Sequence, residues 1–200
     1  MIVVVAGLKG GVGKTTTSVY LAALAGGGRR PVTLVDADPQ ASAAEWAEAS
    51  EDERLKRIEV VEAPTERLLA RALRRLDDEE EVAVVDTPPG QERFLASALG
   101  LATVVVVPTR VGGVETSRAE AVLELVPKNT PAGLVISSAR PYTNDYHYAL
   151  AAWAEAGVAV WGSVPERVAI AAGPGAALAE DGLEALRPVW QRVLRAAREG

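Results

Sequence analysis

The sequence predicts a doubly wound α/β fold, a mostly parallel, twisted sheet with helices on both faces. Three observations carry this expectation. Short apolar blocks alternate with stretches of helical period along all 200 residues. Most of the blocks are continuous Val/Ile/Leu runs rather than apolar/polar alternations, which is how strands buried on both faces read. No repeat, linker or shift in composition interrupts the alternation, so residues 1–200 read as a single domain.

The elements follow in order. Strand Ile2–Ala6 leads through a glycine-rich loop into a helix near 14–25, and Gly26-Gly27-Gly28 marks that helix's end, where left-handed backbone is expected. Strand Val32–Val35 precedes a helix near 41–49, with Asp38 or Ser42 as a candidate N-cap. Strand Ile58–Glu62 is followed by a helix near 65–76. The acidic run Asp77-Asp78-Glu79-Glu80-Glu81 then reads as a solvated connection. Strands Val82–Val85, Thr103–Val107, Gly133–Ser137 and Val158–Trp161 alternate with helices near 91–99, 115–126, 145–156 and 186–198. In such sheets chemistry collects at the carboxyl ends of the strands, so the loops after Ala6, Val35, Val85, Val107, Ser137 and Trp161 matter most.

Composition removes several function classes. At 48% hydrophobic and 24% charged residues the chain can bury a core and does not read as disordered. No apolar run approaches the ~20 residues of a membrane span, and the opening residues 1–6 read as a core strand rather than a secretory leader. Without cysteine there is no disulfide, thiolate metal site, iron–sulfur cluster or Cys nucleophile, and the single histidine, His147, argues against a His-based metal site or a Ser–His triad. A net charge of −6 opposes a surface that coats nucleic acid everywhere, while leaving room for a local basic patch.

The loop after the first strand reads Gly7-Leu8-Lys9-Gly10-Gly11-Val12-Gly13-Lys14-Thr15-Thr16 and runs into a helix. Its glycines let backbone N–H groups turn toward phosphates, and the helix N-terminus adds its positive dipole end. Lys14 can reach the β and γ phosphates, and the Thr15 hydroxyl is placed for Mg²⁺. The context of strand, loop and helix is that of a P-loop nucleotide-binding fold. Asp36-Ala37-Asp38-Pro39-Gln40 follows the second strand, and carboxylates at i and i+2 can address Mg²⁺ and a water from the same side. Val82–Val85 ends in Asp86, a candidate Mg²⁺-holding aspartate, followed by the stiff turn Pro88-Pro89-Gly90, which could sense the γ-phosphate.

The strict pattern wants Gly where Leu8 stands, and a second lysine, Lys9, opens the loop instead. In this the loop resembles the deviant Walker A motif of the ParA/MinD family of ATPases, closest to the small ParF-type ParA partition proteins. The stretches 36–46, 105–109, 114–116 and 163–167 look like their counterparts in that branch. The resemblance implies that Lys9 reaches across a nucleotide-sandwich dimer to the partner's phosphates and that Asp38 orients the attacking water. It also implies that Pro165 lies in the loop over the adenine. Lys9, Lys14 and Asp38 are then the catalytic residues. Lys9, Gly10, Gly11, Val12, Gly13, Lys14, Thr15, Thr16, Asp36, Asp86 and Pro165 bind ATP or ADP, with Thr15 and Asp86 on Mg²⁺. Such relatives dimerise on ATP, bind duplex DNA without sequence preference, and are released when a ParB-like partner triggers hydrolysis. They position plasmids, chromosome origins or other cargo in the cytoplasm, on the nucleoid. A MinD-like membrane-surface regulator and a nucleotide-gated scaffold with negligible turnover are the alternatives.

The final helix carries the best local positive charge. Arg192, Arg195 and Arg198 recur every three residues, with Arg187 before them, opposite a stripe of Val189, Trp190, Val193, Leu194 and Ala197. These arginines complement the helix's C-terminal dipole, contact DNA or, as a third alternative, contact a membrane surface. Tyr142, Tyr146, His147, Tyr148 and Trp153 form an aromatic cluster at helical spacing that reads as core or dimer packing.

Overall fold

The computed structural model describes every residue except 77–79, 172, 175, 176 and 200. Strands β1 (Ile2–Val5), β2 (Val32–Asp36), β3 (Glu59–Glu62), β4 (Val82–Asp86), β5 (Val104–Thr109), β6 (Ala132–Ala139) and β7 (Val160–Pro165) form one sheet in the order β3-β2-β4-β1-β5-β6-β7. Every pairing is parallel. The helices are α1 (Lys14–Gly26), α2 (Ser42–Ala49), α3 (Glu66–Leu73), α4 (Glu92–Leu99), α5 (Gly113–Leu125), α6 (Asn144–Glu155) and α7 (Glu180–Glu199). The expected doubly wound architecture is what the chain adopts.

The uninterrupted apolar runs explain themselves in the two cores. Along β1, Val3 and Val5 face one core while Val4 and Ala6 face the other, and β2, β4 and β5 divide in the same way. Helices α1, α2 and α7 cover the first face; α3 to α6 cover the second. A period-two backbone with apolar residues at every position can satisfy both faces only when both are roofed by helices. Because β1 is central and paired with β4 and β5, the loop that leaves its carboxyl end is held from both sides.

Several local expectations are corrected. None of Gly26, Gly27 and Gly28 has positive φ; Gly27 is right-handed at φ −71°. Gly26 is needed for close approach instead, since a Cβ there would lie 2.9 Å from the Arg54 carbonyl oxygen. Neither Asp38 nor Ser42 caps α2: its N-cap is Ala41 in left-handed backbone, and Ser42 is already helical. Helix α7 begins at Glu180 rather than near 186 and runs through Pro188, because Leu183 and Leu186 bury against the sheet before the arginine-rich turns begin. The aromatic cluster divides. Trp153 is fully buried and Tyr146 packs against the same core, while Tyr142 and Tyr148 are exposed. The residues 77–79 of the acidic run lie outside the described residues, and Glu80 is exposed.

One side chain ties α1, the helix that follows the glycine-rich loop, to two of its neighbours. Tyr20 is fully buried, stacks edge-on against Trp46 of α2, and accepts a hydrogen bond from the Ala179 N–H at 2.9 Å. Replacing Tyr20 by Phe keeps the ring and orphans that N–H. The expected cost is about 1–2 kcal/mol, measured as a lower urea midpoint at unchanged m-value.

Candidate functional site

Parallel register brings the chemistry together. Val5 and Asp36 are both register partners of Asp86, so the ends of β1, β2 and β4 lie side by side. The glycine-rich loop leaves this edge and enters α1. Gly11 and Gly13 hold φ of 73° and 93°, backbone that favours glycine, and a Cβ on Gly13 would meet the Ser137 hydroxyl at 2.7 Å. The Leu8 carbonyl accepts from the Gly90 N–H at 2.9 Å, which joins the loop to the turn after β4.

Asp86 is buried at this edge and held by two hydroxyls. Its Oδ2 accepts from the Thr15 hydroxyl at 2.8 Å and its Oδ1 from the Ser18 hydroxyl at 2.9 Å. Burial pushes its pKa up to about 7, and the neighbouring Asp36 carboxylate adds to this. The Thr15 and Ser18 hydroxyls and the Lys14 ammonium pull the other way. Lys14 is itself buried and donates to the Lys9 carbonyl at 2.9 Å. Desolvation holds it below an ordinary lysine, opposed by Asp86 and Asp38.

The two aspartates after β2 do not face one way. Asp36 is fully buried and turned to backbone: its Oδ1 accepts from the Asp38 N–H at 3.0 Å, and its Oδ2 from the Ala43 and Ala44 N–H groups at 2.8 and 2.9 Å. It therefore caps α2 from a distance, satisfying donors that a helix start leaves open. Its two oxygens thus accept from three amides, whereas the Asp38 side chain borders the cleft. Burial raises the Asp36 pKa, and those amides oppose the rise. Asp38 is half-buried and lines the cleft.

That cleft has a volume of about 480 Å³. Its floor includes Gly10, Gly11, Gly13, Lys14, Thr15 and Thr16, and its walls are Asp38, Pro89, Arg110, Ser137, Ser138 and residues 164–168, with Pro165 among them. Ser138 sits at φ 49°, a strained conformation for a side-chain-bearing residue. Lys9, Val12, Asp36 and Asp86 are not in the lining. A larger cavity, about 660 Å³, lies at the other end of the sheet among Leu24, Arg29, Leu101 and Trp190; it has no phosphate-type loop. Sequence reasoning missed Ser18, although its place one turn after Lys14 puts it on the same helix face. It also missed Arg110 and Ser138, which only the fold brings to the cleft.

The chemistry of the donor set fits Mg²⁺ held jointly with a nucleotide. Among the described residues no cluster of three His, Cys, Asp or Glu could cage a metal alone. Mg²⁺ is ordinarily bound by one or two protein groups plus phosphate oxygens and water, and the Thr15 hydroxyl with the Asp86 carboxylate supplies that share. Arg187, Arg192, Arg195 and Arg198 are all exposed on α7. Among the described residues none of the four has an ion pair. Val189 and Val193 on the opposite stripe are buried. No helix of the described residues is long and apolar enough to cross a membrane.

Comparison with known proteins gives this arrangement a family. Residues 3–178 match the CobQ/CobB/MinD/ParA nucleotide binding domain. Protein ParA of Rhizobium radiobacter is 30% identical over 131 residues, 66% of this chain and 58% of the relative. The maintenance of carboxysome distribution protein A of Gloeobacter kilaueensis is 43% identical over 102 residues, 50% of this chain and 45% of the relative. The matches thus span about half the length of these relatives. A McdA variant of Cyanothece, solved in complex with ATP, superposes with a TM-score of 0.75 at 19% identity, covering 98% of this chain and 95% of that one. At that identity the likeness shows the fold.

The raised Asp86 pKa has a measurable consequence. In the folded chain the carboxyl holds its proton up to about 7, whereas its reference value is 3.8. Between these values the folded state binds more protons than the unfolded state, so the Asp86 contribution to stability is full below about pH 4 and is lost as pH rises through 7. Urea unfolding between pH 4.5 and 7.5, without nucleotide or metal, is expected to show a shallower loss of stability with rising pH in Asp86→Asn than in the parent.

Proposed function

The chain belongs to the CobQ/CobB/MinD/ParA nucleotide-binding family, and from that premise we propose that it is a Mg²⁺-dependent ATP hydrolase of ParA type. It dimerises around ATP, binds duplex DNA without sequence preference, and uses hydrolysis to position a plasmid, chromosome region or other large cargo. The observation that carries this reading is the division of labour between two lysines on one loop. Lys14 lies in the cleft beside Thr15, while Lys9 on the same loop is absent from that cleft's lining. A lysine outside its own cleft can serve a second subunit's phosphates once it leaves its partner in its own chain.

Each cleft residue then has a task. The Lys14 ammonium exchanges the Lys9 carbonyl for phosphate oxygens. Loop N–H groups between Gly10 and Thr16 cradle the phosphates at the start of α1. Thr15 and Asp86 would hold a Mg²⁺, which would supply neutralisation of the charge on the phosphates. Asp38 positions the attacking water; its Oδ1 is oriented by the Gln40 N–H at 3.0 Å. Asp36 acts only by holding the turn that carries Asp38. Residues 164–168, with Pro165, and Ser138 line the cleft and would enclose the base. Dimerisation doubles the exposed arginines of α7, which turns a weak DNA contact into a useful one. A ParB-like partner that accelerates hydrolysis would release the protein from the nucleoid.

Two outcomes test the enzyme reading. Lys14→Ala is expected to lose nucleotide binding, because Lys14 meets phosphate charge in the ground state. Asp38→Ala is expected to bind ATP as the parent does while phosphate release falls at least tenfold. Parent-level turnover in Asp38→Ala would remove it from the water-positioning role. Lys9→Ala should keep ADP affinity and lose the dimer that a non-hydrolysable ATP analogue produces, read by light scattering.

The DNA reading has its own measurement. Anisotropy with a duplex oligonucleotide is expected to show ATP-dependent binding whose affinity falls by ~0.9 log unit per phosphate contact for each tenfold rise in salt. Glu at positions 192, 195 and 198 should abolish that binding and leave ATP-driven dimerisation intact. Unchanged binding would return these arginines to the role of helix-dipole complements.

A further inference from the structure

Lys9 is turned away from its own cleft, and its ammonium has a partner. The Lys9 Nζ donates to Oε1 of Glu115, in the first turn of α5, across 106 positions of sequence. The two side chains are 39% and 20% exposed, so the pair is partly shielded from water. The ammonium beside Glu115 holds its carboxyl below the usual carboxylate range, helped by its own backbone N–H and, more weakly, by Arg118. The approach is built into the backbone. Thr109, at the end of β5, donates its hydroxyl to the Glu115 carbonyl at 3.3 Å. Gly112 adopts φ 156° at the entry to α5, where a Cβ would stand 2.8 Å from the Glu115 Oε2.

We propose that Glu115 is the resting counter-ion of Lys9, a positioning residue that holds this lysine within its own subunit until a second copy with bound triphosphate takes it over. The inference rests on the reading above, that Lys9 serves the partner's nucleotide. One ammonium cannot occupy both places. Assembly therefore exchanges one carboxylate contact for contacts to phosphate oxygens. Arg118, one turn further along α5, is the cation left near Glu115 after the exchange. Monomers without a triphosphate have no γ-phosphate to offer across an interface, so their Lys9 stays with Glu115. Glu115 thereby raises the ATP concentration at which dimers form and suppresses assembly in its absence.

The test is a titration of dimer mass against a non-hydrolysable ATP analogue with Mg²⁺, read by light scattering, for the parent, Glu115→Gln and Glu115→Ala. A partly exposed ion pair is a modest restraint, so both variants are expected to reach half-maximal dimer at about two- to fivefold lower analogue concentration. ADP affinity of the monomer should be unchanged, because Lys9 does not reach its own nucleotide. The thermal midpoint should fall in Glu115→Gln when Lys9 is present and stay constant when Lys9 is already Ala. An equal or higher threshold in the variants, with a dimerising parent, overturns the proposal alone, as does a loss of midpoint that ignores Lys9. A parent that remains monomeric at saturating analogue overturns the trans role of Lys9 and this proposal with it.

Discussion

The buried carboxylate of Asp86 is the constraint on which the site depends. It sits at the end of β4, accepts hydrogen bonds from Thr15 and Ser18 of α1, and lies next to Asp36 at the end of β2. A carboxylate removed from water needs such partners, since leaving it unpaired costs far more than the hydrogen bonds return. Satisfying Asp86 therefore fixes the rotation of α1 against the sheet, and with it the direction in which the glycine-rich loop presents its N–H groups. The same enclosure pushes its pKa up to about 7 and couples its charge to whatever cation stands nearby.

The loop is a second place where one group answers several demands. Lys14 is folded onto the Lys9 carbonyl, Leu8 is held by the Gly90 N–H, and Lys9 is drawn outward to Glu115. Three sheet connections, those after β1, β4 and β5, thus meet at this loop. A ligand that takes over the Lys14 ammonium must break its contact with the loop carbonyl. In the proposed reaction cycle the phosphates perform that exchange, and Asp36 stays outside it as the cap that keeps the Asp38 turn in shape.

The other end of the sheet has a different character. There the strands begin, the cavity is larger in volume than the cleft, and its lining carries Arg29, Arg30 and Arg198 beside apolar Leu24 and Leu101. Helices α1 and α7 both end near this side, and cationic side chains complement helix C-termini. Of the α7 arginines, Arg198 stands in the last turn, where a cation complements the helix dipole.

Much of this protein is legible without its fold. The alternation of apolar runs with helical stretches determined a parallel sheet roofed on both faces. Gly13-Lys14-Thr15 after a strand marked the strand–loop–helix junction that floors the cleft, because loop, lysine and helix start are contiguous in the chain. Asp86 was legible as the polar end of an apolar strand. Tertiary structure alone decided the use of Asp36, which looks like a ligand in sequence but spends its oxygens on α2 amides packed seven and eight residues away. It decided that Ser18 shares Asp86 with Thr15, that the aromatic segment after β6 splits between core and surface, and that α7 starts early to cover Tyr20. It also paired Lys9 with Glu115. The Ser18–Asp86 and Lys9–Glu115 pairings depend on parallel crossovers that set distant strand ends side by side, and no local period or spacing in a chain encodes which distant group arrives there.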